Sequence, residues 1–510
     1  MQLFWLFALL AGVINYGRLD DYLGPYLVAD LKSGRLTDEE AYRYIHSLWT
    51  MIENRRTTVN GRIIVGGKGR KHPKEADVFL HIAMKVAKNC RYVEPQFTLR
   101  FDKDTSEEIW DEALDALGAG ATYPTLYNDD VNVPAVMYGM RVDEKAAEQY
   151  VPFGCTEFVI QGQSTGTPNI CINLLKLLTI YMNDGIDPID GKRKSGPVPL
   201  KKLEEYQTFE EFYDGYKALL DYYLDLSVKA QYHSYEVMNQ HVSFLFTSLL
   251  TDDCIARGKA LLDGGVRYLG GTNETYGNIN TSDSLWVIRD LVFNQKKYTL
   301  RQLNDAMLAN FNGYEALRKD CLNCDKYGND LETADTMAND LYEFVAKGVR
   351  NRGIAIGMQY FLIVISNNQL NTEWGNRTAA SPDGRLSCMY MNPANNPQGG
   401  ANKSGPTAML NSLAKFDAKY HGGSVQNIKF SPSMFNENRA VIKSLFKTYF
   451  AKGGCHLMVT VVDKGVLEDA VEHPENYPDL IVRVSGFSAV FVDLSPNIQQ
   501  ELLSRVLYDE

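Results

Sequence analysis

Eight cysteines in 510 residues are too few to brace a chain of this size with disulfides, and a reducing cytoplasm is the simpler setting. Positive charge is also scarce. Fifty-two Lys and Arg stand against 63 Asp and Glu, a net charge of −11, which argues against nucleic acid as a partner and fits a soluble metabolic enzyme. The apolar stretch from Leu3 to Ile14 has 12 residues, where a bilayer span needs roughly 20. It also lacks a basic leader and a small-residue cleavage pattern, so it reads as a buried helix, and no membrane is expected. Cys321-Leu322-Asn323-Cys324 has no second pair at matching spacing, so no metal site is expected there. A phosphate-binding glycine loop and short internal repeats are missing too.

What is present is ample apolar content, 45%, and an alternation of short strands and helices. Thr37, with Glu40 three residues on, forms a capping box ahead of an amphipathic helix that reaches Glu53. Pro95 to Arg100 reads as a strand, as does the segment from Ala135 to Met140. Thr208 and Glu211 open a long helix whose Tyr and Leu residues belong to a core. The order predicts an α/β protein with parallel strands. Residues Asn367 to Pro406, dense in Asn, Gly, Pro and Ser, have the strongest loop composition in the chain. A boundary near residue 400 divides the chain into domains of 1–400 and 401–510.

Two stretches carry chemistry. Leu480 to Val484 has strand character, and Ser495-Pro496 begins a helix with Ile498, Leu502, Leu503 and Val506 at helical spacing. Gly486 therefore sits in a tight loop between strand and helix. The second stretch is Phe153-Gly154-Cys155-Thr156-Glu157-Phe158. After it, Thr167-Pro168 reads as the start of a helix striped by Ile170, Leu174, Leu175, Leu178 and Tyr181 and closed by Gly185, which leaves Cys155 and Glu157 on a loop. A single glycine ordinarily supplies a positive φ, and a single cysteine is ordinarily a small buried hydrophobe. Their combination reads differently. Arg483-Val484-Ser485-Gly486-Phe487-Ser488-Ala489, followed by Phe491, with Gly154-Cys155-Thr156-Glu157 lying upstream, closely resembles the glycyl radical enzymes. Asn15 to Asp20, Asn280 to Leu285, Lys326 to Asp330 and Ser381 to Arg385 resemble segments of the same family, in consistent order.

The resemblance implies a pyruvate formate-lyase-like fold, a ten-stranded barrel of two half-barrels surrounded by helices, here incomplete at its N-terminus, with a C-terminal glycine radical domain. It implies that a partner enzyme using S-adenosylmethionine and an iron–sulfur cluster takes a hydrogen from Gly486, and that the glycyl radical turns Cys155 into a thiyl that attacks a small organic substrate. No tightly bound cofactor is implied, oxygen would destroy the radical, and a homodimer stays open. Gly154 occupies the position where pyruvate formate-lyases carry a second cysteine. Glu157 matches the Cys-x-Glu of the dehydratase, carbon–nitrogen lyase and decarboxylase branches, where the carboxylate serves as a base. Diol dehydratases place another carboxylate downstream, where this chain has Asn169. That residue is the remaining candidate for a substrate contact. His456 offers an acid–base group, but a structural role is expected for it. Two alternatives remain: acyl transfer as in formate C-acetyltransferase, and a catalytically incomplete fragment or non-catalytic subunit.

Overall fold

The computed structural model describes residues 15–55, 61–165, 169–242, 244–365 and 369–509, and the helix expected over Leu3 to Ile14 lies outside them. Among the described residues fourteen strands follow in chain order: β1 (Asn15–Arg18), β2 (Arg62–Gly66), β3 (Phe97–Phe101), β4 (Thr125–Asn128), β5 (Tyr150–Phe153), β6 (Glu157–Ile160), β7 (Asn169–Asn173), β8 (Gly270–Tyr276), β9 (Tyr360–Ile365), β10 (His421–Ser424), β11 (Asn427–Phe430), β12 (His456–Val461), β13 (Ile481–Arg483) and β14 (Ser488–Val490). The chain forms two compact units. One joins Met1–Gln161 to Gly423–Glu510; the other is Gly162–Gly422.

The first unit is built on a six-stranded sheet ordered β1-β2-β3-β4-β12-β11. Its first four strands are parallel. Helices Leu19–Lys32 and Asp38–Glu53, then Pro73–Asn89, then Glu107–Gly118 connect them, the crossovers that parallel pairing requires. Every residue of β2 and β3 is buried, as befits strands covered on both faces. β12 joins antiparallel to β4, and β11 is parallel to β12, so the sheet is mixed. The Thr37–Glu40 capping box forms as expected. Ala135 to Met140 is not a strand. It lies in helix Asp129–Met140, where the Asn128 side chain accepts the Asp130 N–H at 3.2 Å. Val133, Ala135, Val136, Gly139 and Met140 are all buried, so this helix offers little of the polar periodicity by which helices are recognised.

Two antiparallel hairpins complete this unit, β5 with β6 and β13 with β14. The first is anchored by a buried ion pair. Arg100 and Asp129 make two bonds, of 2.9 and 2.8 Å, and the Tyr150 hydroxyl donates to Asp129 at 2.7 Å. Arg100 also donates to the carbonyls of Glu148 and Tyr150, at 3.0 and 2.8 Å. A buried pair with its remaining donors satisfied in this way is a firm anchor, whereas loss of either partner would strand a charge.

In the second unit β7, β8 and β9 are parallel within a sheet ordered β7-β8-β9-β10. The helix expected from Thr167-Pro168 begins instead at Leu174, capped by Asn173, whose side chain accepts the Lys176 N–H at 2.9 Å. Thr167 and Pro168 lie outside the described residues, and residues 169–173 are strand. The spacing of Ile170 and Leu174 suits a helix, but five register pairs with β8 decide otherwise. The Thr208 hydroxyl caps the long helix Phe209–His241 by accepting the Glu211 N–H at 3.1 Å, while the Glu211 carboxylate accepts the Gln207 N–H at 3.1 Å, so only half of a capping box forms. Much of the loop-rich segment is buried. Arg385 donates to the carbonyls of Ala379, Gly375 and Met389 at 2.8, 2.9 and 2.6 Å, and Asp383 accepts from Asn280 at 2.6 Å. The polar residues that read as loop thus satisfy an interior backbone. Among the described residues no helix is long and apolar enough to cross a membrane.

Asp283 is buried beside this segment and accepts the Tyr327 N–H at 3.0 Å. Burial pushes its carboxyl from an ordinary 3.8 up to about 7, against the attraction of Lys326. Between those values the folded chain holds a proton that the unfolded chain has released. This group's contribution to stability therefore falls as pH rises from about 4 to about 7 and is flat above that window. Asp283→Asn should remove the slope, so that the variant gains on the parent from about pH 5 to about pH 8. Urea unfolding midpoints of both proteins at the two pH values check the sign.

Candidate active site

The turn between β5 and β6 is short because Phe153 pairs with Glu157, which leaves only Gly154, Cys155 and Thr156 between the strands. The Thr156 N–H closes it on the Phe153 carbonyl at 3.0 Å. Glu157 therefore opens β6 and is not on the loop, contrary to expectation. Thr156 has a φ of 99°, a conformation that strains a β-branched residue, and it is fully buried. Arg62 supports the turn from below. Its guanidinium donates to the Gly154 carbonyl at 2.8 Å and to the Thr98 hydroxyl at 2.9 Å.

The other hairpin has Arg483 opposite Ser488, and the Val484 N–H donates to the Phe487 carbonyl at 3.0 Å. Gly486 lies in this turn, so the segment after it is first a strand and only later helix Pro496–Ser504. Val482, Val484, Phe487 and Phe491 pack with Val462, Leu467, Ile498 and Leu502 in one apolar cluster. Arg483 is buried, donates to the Ser488 hydroxyl at 3.1 Å, and lies 4.8 Å above the ring of Tyr123. The Ser488 hydroxyl in turn donates to Thr122 at 2.9 Å.

The two turns meet. Gly486 has a φ of 82°, and a Cβ placed on it would stand 2.8 Å from both Cα and Cβ of Cys155 and 3.1 Å from its Sγ. One α-hydrogen of Gly486 thus points along the direction of the cysteine. Cys155, Glu157 and Ser485 are all buried. Gly154 has a φ of 51°, and a Cβ there would lie 2.7 Å from one carboxylate oxygen of Glu157. The space left by the missing side chain at 154 is where the Glu157 carboxylate lies. Burial raises the Tyr127 phenol, opposed by Arg62 and Arg483 and reinforced by Glu157, so these four groups share one electrostatic environment.

Cys155, Glu157 and Gly486, 331 positions apart at the extremes, are therefore brought together. Asn169 opens β7, opposite Thr272 in the second unit. His456 lies on β12, its Nδ1 accepting the Gln426 N–H at 3.2 Å and its ring 4.6 Å from that of Tyr127. Burial pushes the Cys321 and Cys324 thiols up to about 12 and about 11. Sequence reasoning missed Arg62, and also Arg505, whose guanidinium donates to the Val484 carbonyl at 2.6 Å. An arginine heading the apolar run Ile63-Ile64-Val65 was the available signal for the first.

The Pyruvate formate lyase-like family model matches residues 1–370, and the Glycine radical model matches residues 391–492. The chain is 29% identical to trans-4-hydroxy-L-proline dehydratase of Clostridioides difficile over 96% of its own length and 64% of that protein. It is 26% identical to isethionate sulfite-lyase of Oleidesulfovibrio alaskensis over 98% of its own length and 62% of that protein. Among solved structures, the glycerol-bound B12-independent glycerol dehydratase of Clostridium butyricum superposes with a TM-score of 0.88 at 28% identity, covering 98% of this chain and 64% of that one. The chain thus spans less than two thirds of the length of these relatives.

The Gly154–Glu157 contact can be tested by a double-mutant cycle. Gly154→Ala should cost about 1–2 kcal/mol from the left-handed backbone alone, with a further cost from displacing the carboxylate. Adding Glu157→Ala should recover the second part, so the two substitutions should couple by at least about 0.5 kcal/mol. Strict additivity in thermal or urea unfolding would show that the carboxylate lies elsewhere.

Proposed function

The chain belongs to the pyruvate formate lyase-like family of glycyl radical enzymes, and from that premise we propose that it is a radical lyase of the dehydratase, carbon–nitrogen lyase or decarboxylase type. The observation that carries this reading is the pairing of Gly154 with Glu157. A second cysteine at position 154, as acyl transfer to coenzyme A would use, would collide with the carboxylate where it now lies. On this proposal residues 401–510 are the radical-bearing domain, 1–400 belong to a ten-stranded barrel of the family type, and the setting is an anaerobic cytoplasm.

The steps follow from hydrogen and proton balance. A partner enzyme with S-adenosylmethionine and an iron–sulfur cluster removes one α-hydrogen from Gly486. The Gly486 radical takes the hydrogen atom of the Cys155 thiol, which re-forms the C–H bond and leaves the unpaired electron on sulfur. That sulfur takes a hydrogen atom from a carbon of the substrate. Glu157 accepts the proton of a neighbouring hydroxyl or carboxyl group as the leaving group departs. The Cys155 S–H bond then returns its hydrogen to the product radical, and the thiyl so formed recovers a hydrogen from Gly486. Burial of all three groups keeps water and bystanders from the radical.

Anaerobic activation should give a doublet electron paramagnetic resonance signal, split by the one α-hydrogen left on Gly486. Gly486→Ala should give none, and an unchanged doublet in that variant would refute the assignment. Brief exposure of the activated protein to air should cut the chain at residue 486.

Cys155→Ser should keep the doublet and lose all turnover, because an O–H bond is too strong for the exchange. Glu157→Gln should keep the doublet and lose roughly 10²–10⁴-fold in rate with the substrate accepted from a panel of trans-4-hydroxy-L-proline, glycerol and isethionate, the named compounds of its relatives. Parental turnover in Glu157→Gln would remove the carboxylate from the reaction, and a parent that activates yet turns over none of the panel would favour acyl transfer.

A further inference from the structure

Arg505 follows helix Pro496–Ser504 and is mostly buried. Two of its nitrogens donate to the two carboxylate oxygens of Glu501, at 2.9 and 2.7 Å. The same guanidinium donates to the carbonyl of Val484 at 2.6 Å and to that of Arg483 at 3.4 Å. Those are the residues leading directly into Ser485 and Gly486. Glu501 is itself only 1% exposed, so its carboxylate is a fixed brace. The helix that presents the pair is tied down as well. Lys429 of β11 donates to the Leu502 carbonyl at 3.1 Å, and the Tyr508 backbone exchanges two 3.0 Å bonds with Lys429 and Ser431. From the same strand the Asn427 amide donates to the Ser485 hydroxyl at 3.5 Å. An unbroken chain of contacts thus runs from the six-stranded sheet through Glu501 and Arg505 to the turn that carries Gly486.

We propose that Arg505, braced by Glu501, is a positioning residue that holds the Gly486 α-carbon in register with the Cys155 sulfur. This rests on the radical relay proposed above and adds a residue that touches neither reacting atom. The planar fork reaches a carboxylate and two carbonyls at once; a lysine, a single flexible point charge, cannot. Hydrogen-atom transfer between carbon and sulfur is steep in distance, so a shift on the order of 1 Å at the turn should slow it by at least about tenfold.

The test needs no substrate. In the activated protein in heavy water, the Cys155 thiol becomes S–D. Its deuterium atom passes to the Gly486 radical, leaving the electron on sulfur. When sulfur takes back a protium atom, deuterium stays on the α-carbon and the doublet collapses to a singlet. The parent should show this collapse. Arg505→Lys and Glu501→Gln should show the same initial doublet with a collapse at least about tenfold slower. In the unactivated proteins, backbone amide exchange across residues 484–488 should rise about tenfold in both variants, with helix Lys464–Glu472 unchanged as an internal control. Parental collapse and parental exchange in a folded variant would overturn the positioning role. A parent doublet that never collapses would instead overturn the relay through Cys155, and amide exchange would then decide Arg505 alone. Should Arg505→Lys fail to fold, Glu501→Gln carries the same comparison.

Discussion

Where the Gly486 α-carbon meets Cys155, a methyl group would stand 2.8 Å from two carbon atoms, well inside the roughly 3.5–4.0 Å at which carbons attract. Only a residue with no side chain allows this approach. The rest of the first unit can be understood as what makes the approach reproducible. Both partners come from turns between short antiparallel strands, and each turn is closed by its own backbone bond. A turn held by its strands has few ways to wander, which is what the proposed hydrogen-atom relay would require.

The same device recurs under both turns. A turn leaves carbonyls that no ladder satisfies, and in a dry interior an unpaired carbonyl is costly. Arg62 answers the Gly154 carbonyl, Arg100 those of Glu148 and Tyr150, and Arg505 those of Arg483 and Val484. Arg18 does likewise for Gly66 and Lys68. Guanidinium suits the task because it offers five donors in a fixed plane and is less strongly hydrated than an ammonium group. Asp129 and Glu501 supply the opposite charge for two of these arginines, so each is anchored as well as satisfied.

How far the sequence reveals this depends on where the information resides. The meeting of Gly486 with Cys155, and of Gly154 with Glu157, was legible because two short motifs carry particular residue types at fixed local spacing. The α/β class was legible from alternating elements, and the caps at Thr37 and Thr208 from their hydroxyls and the Glu three residues on. Ala135 to Met140 misled because the exposed positions of this helix are Pro134 and Tyr138, which carry no charge to mark a polar face. Residues 169–173 misled because tertiary pairing with β8 outweighed a spacing that also suits a helix. Arg505 was illegible, and Arg62 left only the faint signal of a charge heading an apolar run, for a different reason. What they hold at the two turns are backbone carbonyls, which every residue has and which leave no mark on the sequence.

One topological feature bears on how the chain assembles. The sheet of the first unit takes β1 to β4 from before residue 162 and β11 and β12 from after residue 422, while the second unit is a single continuous stretch between them. During synthesis from the N-terminus, β4 emerges before β12, the strand that pairs with its edge in the folded sheet, and the second unit is complete before that partner exists. Closing so long a loop is slow and comes late. The β13–β14 turn is made later still, after every strand of both sheets. Cys155 therefore meets Gly486 only when the last strands fold back on the first. Maturation of the centre is in this sense timed by the order of the chain.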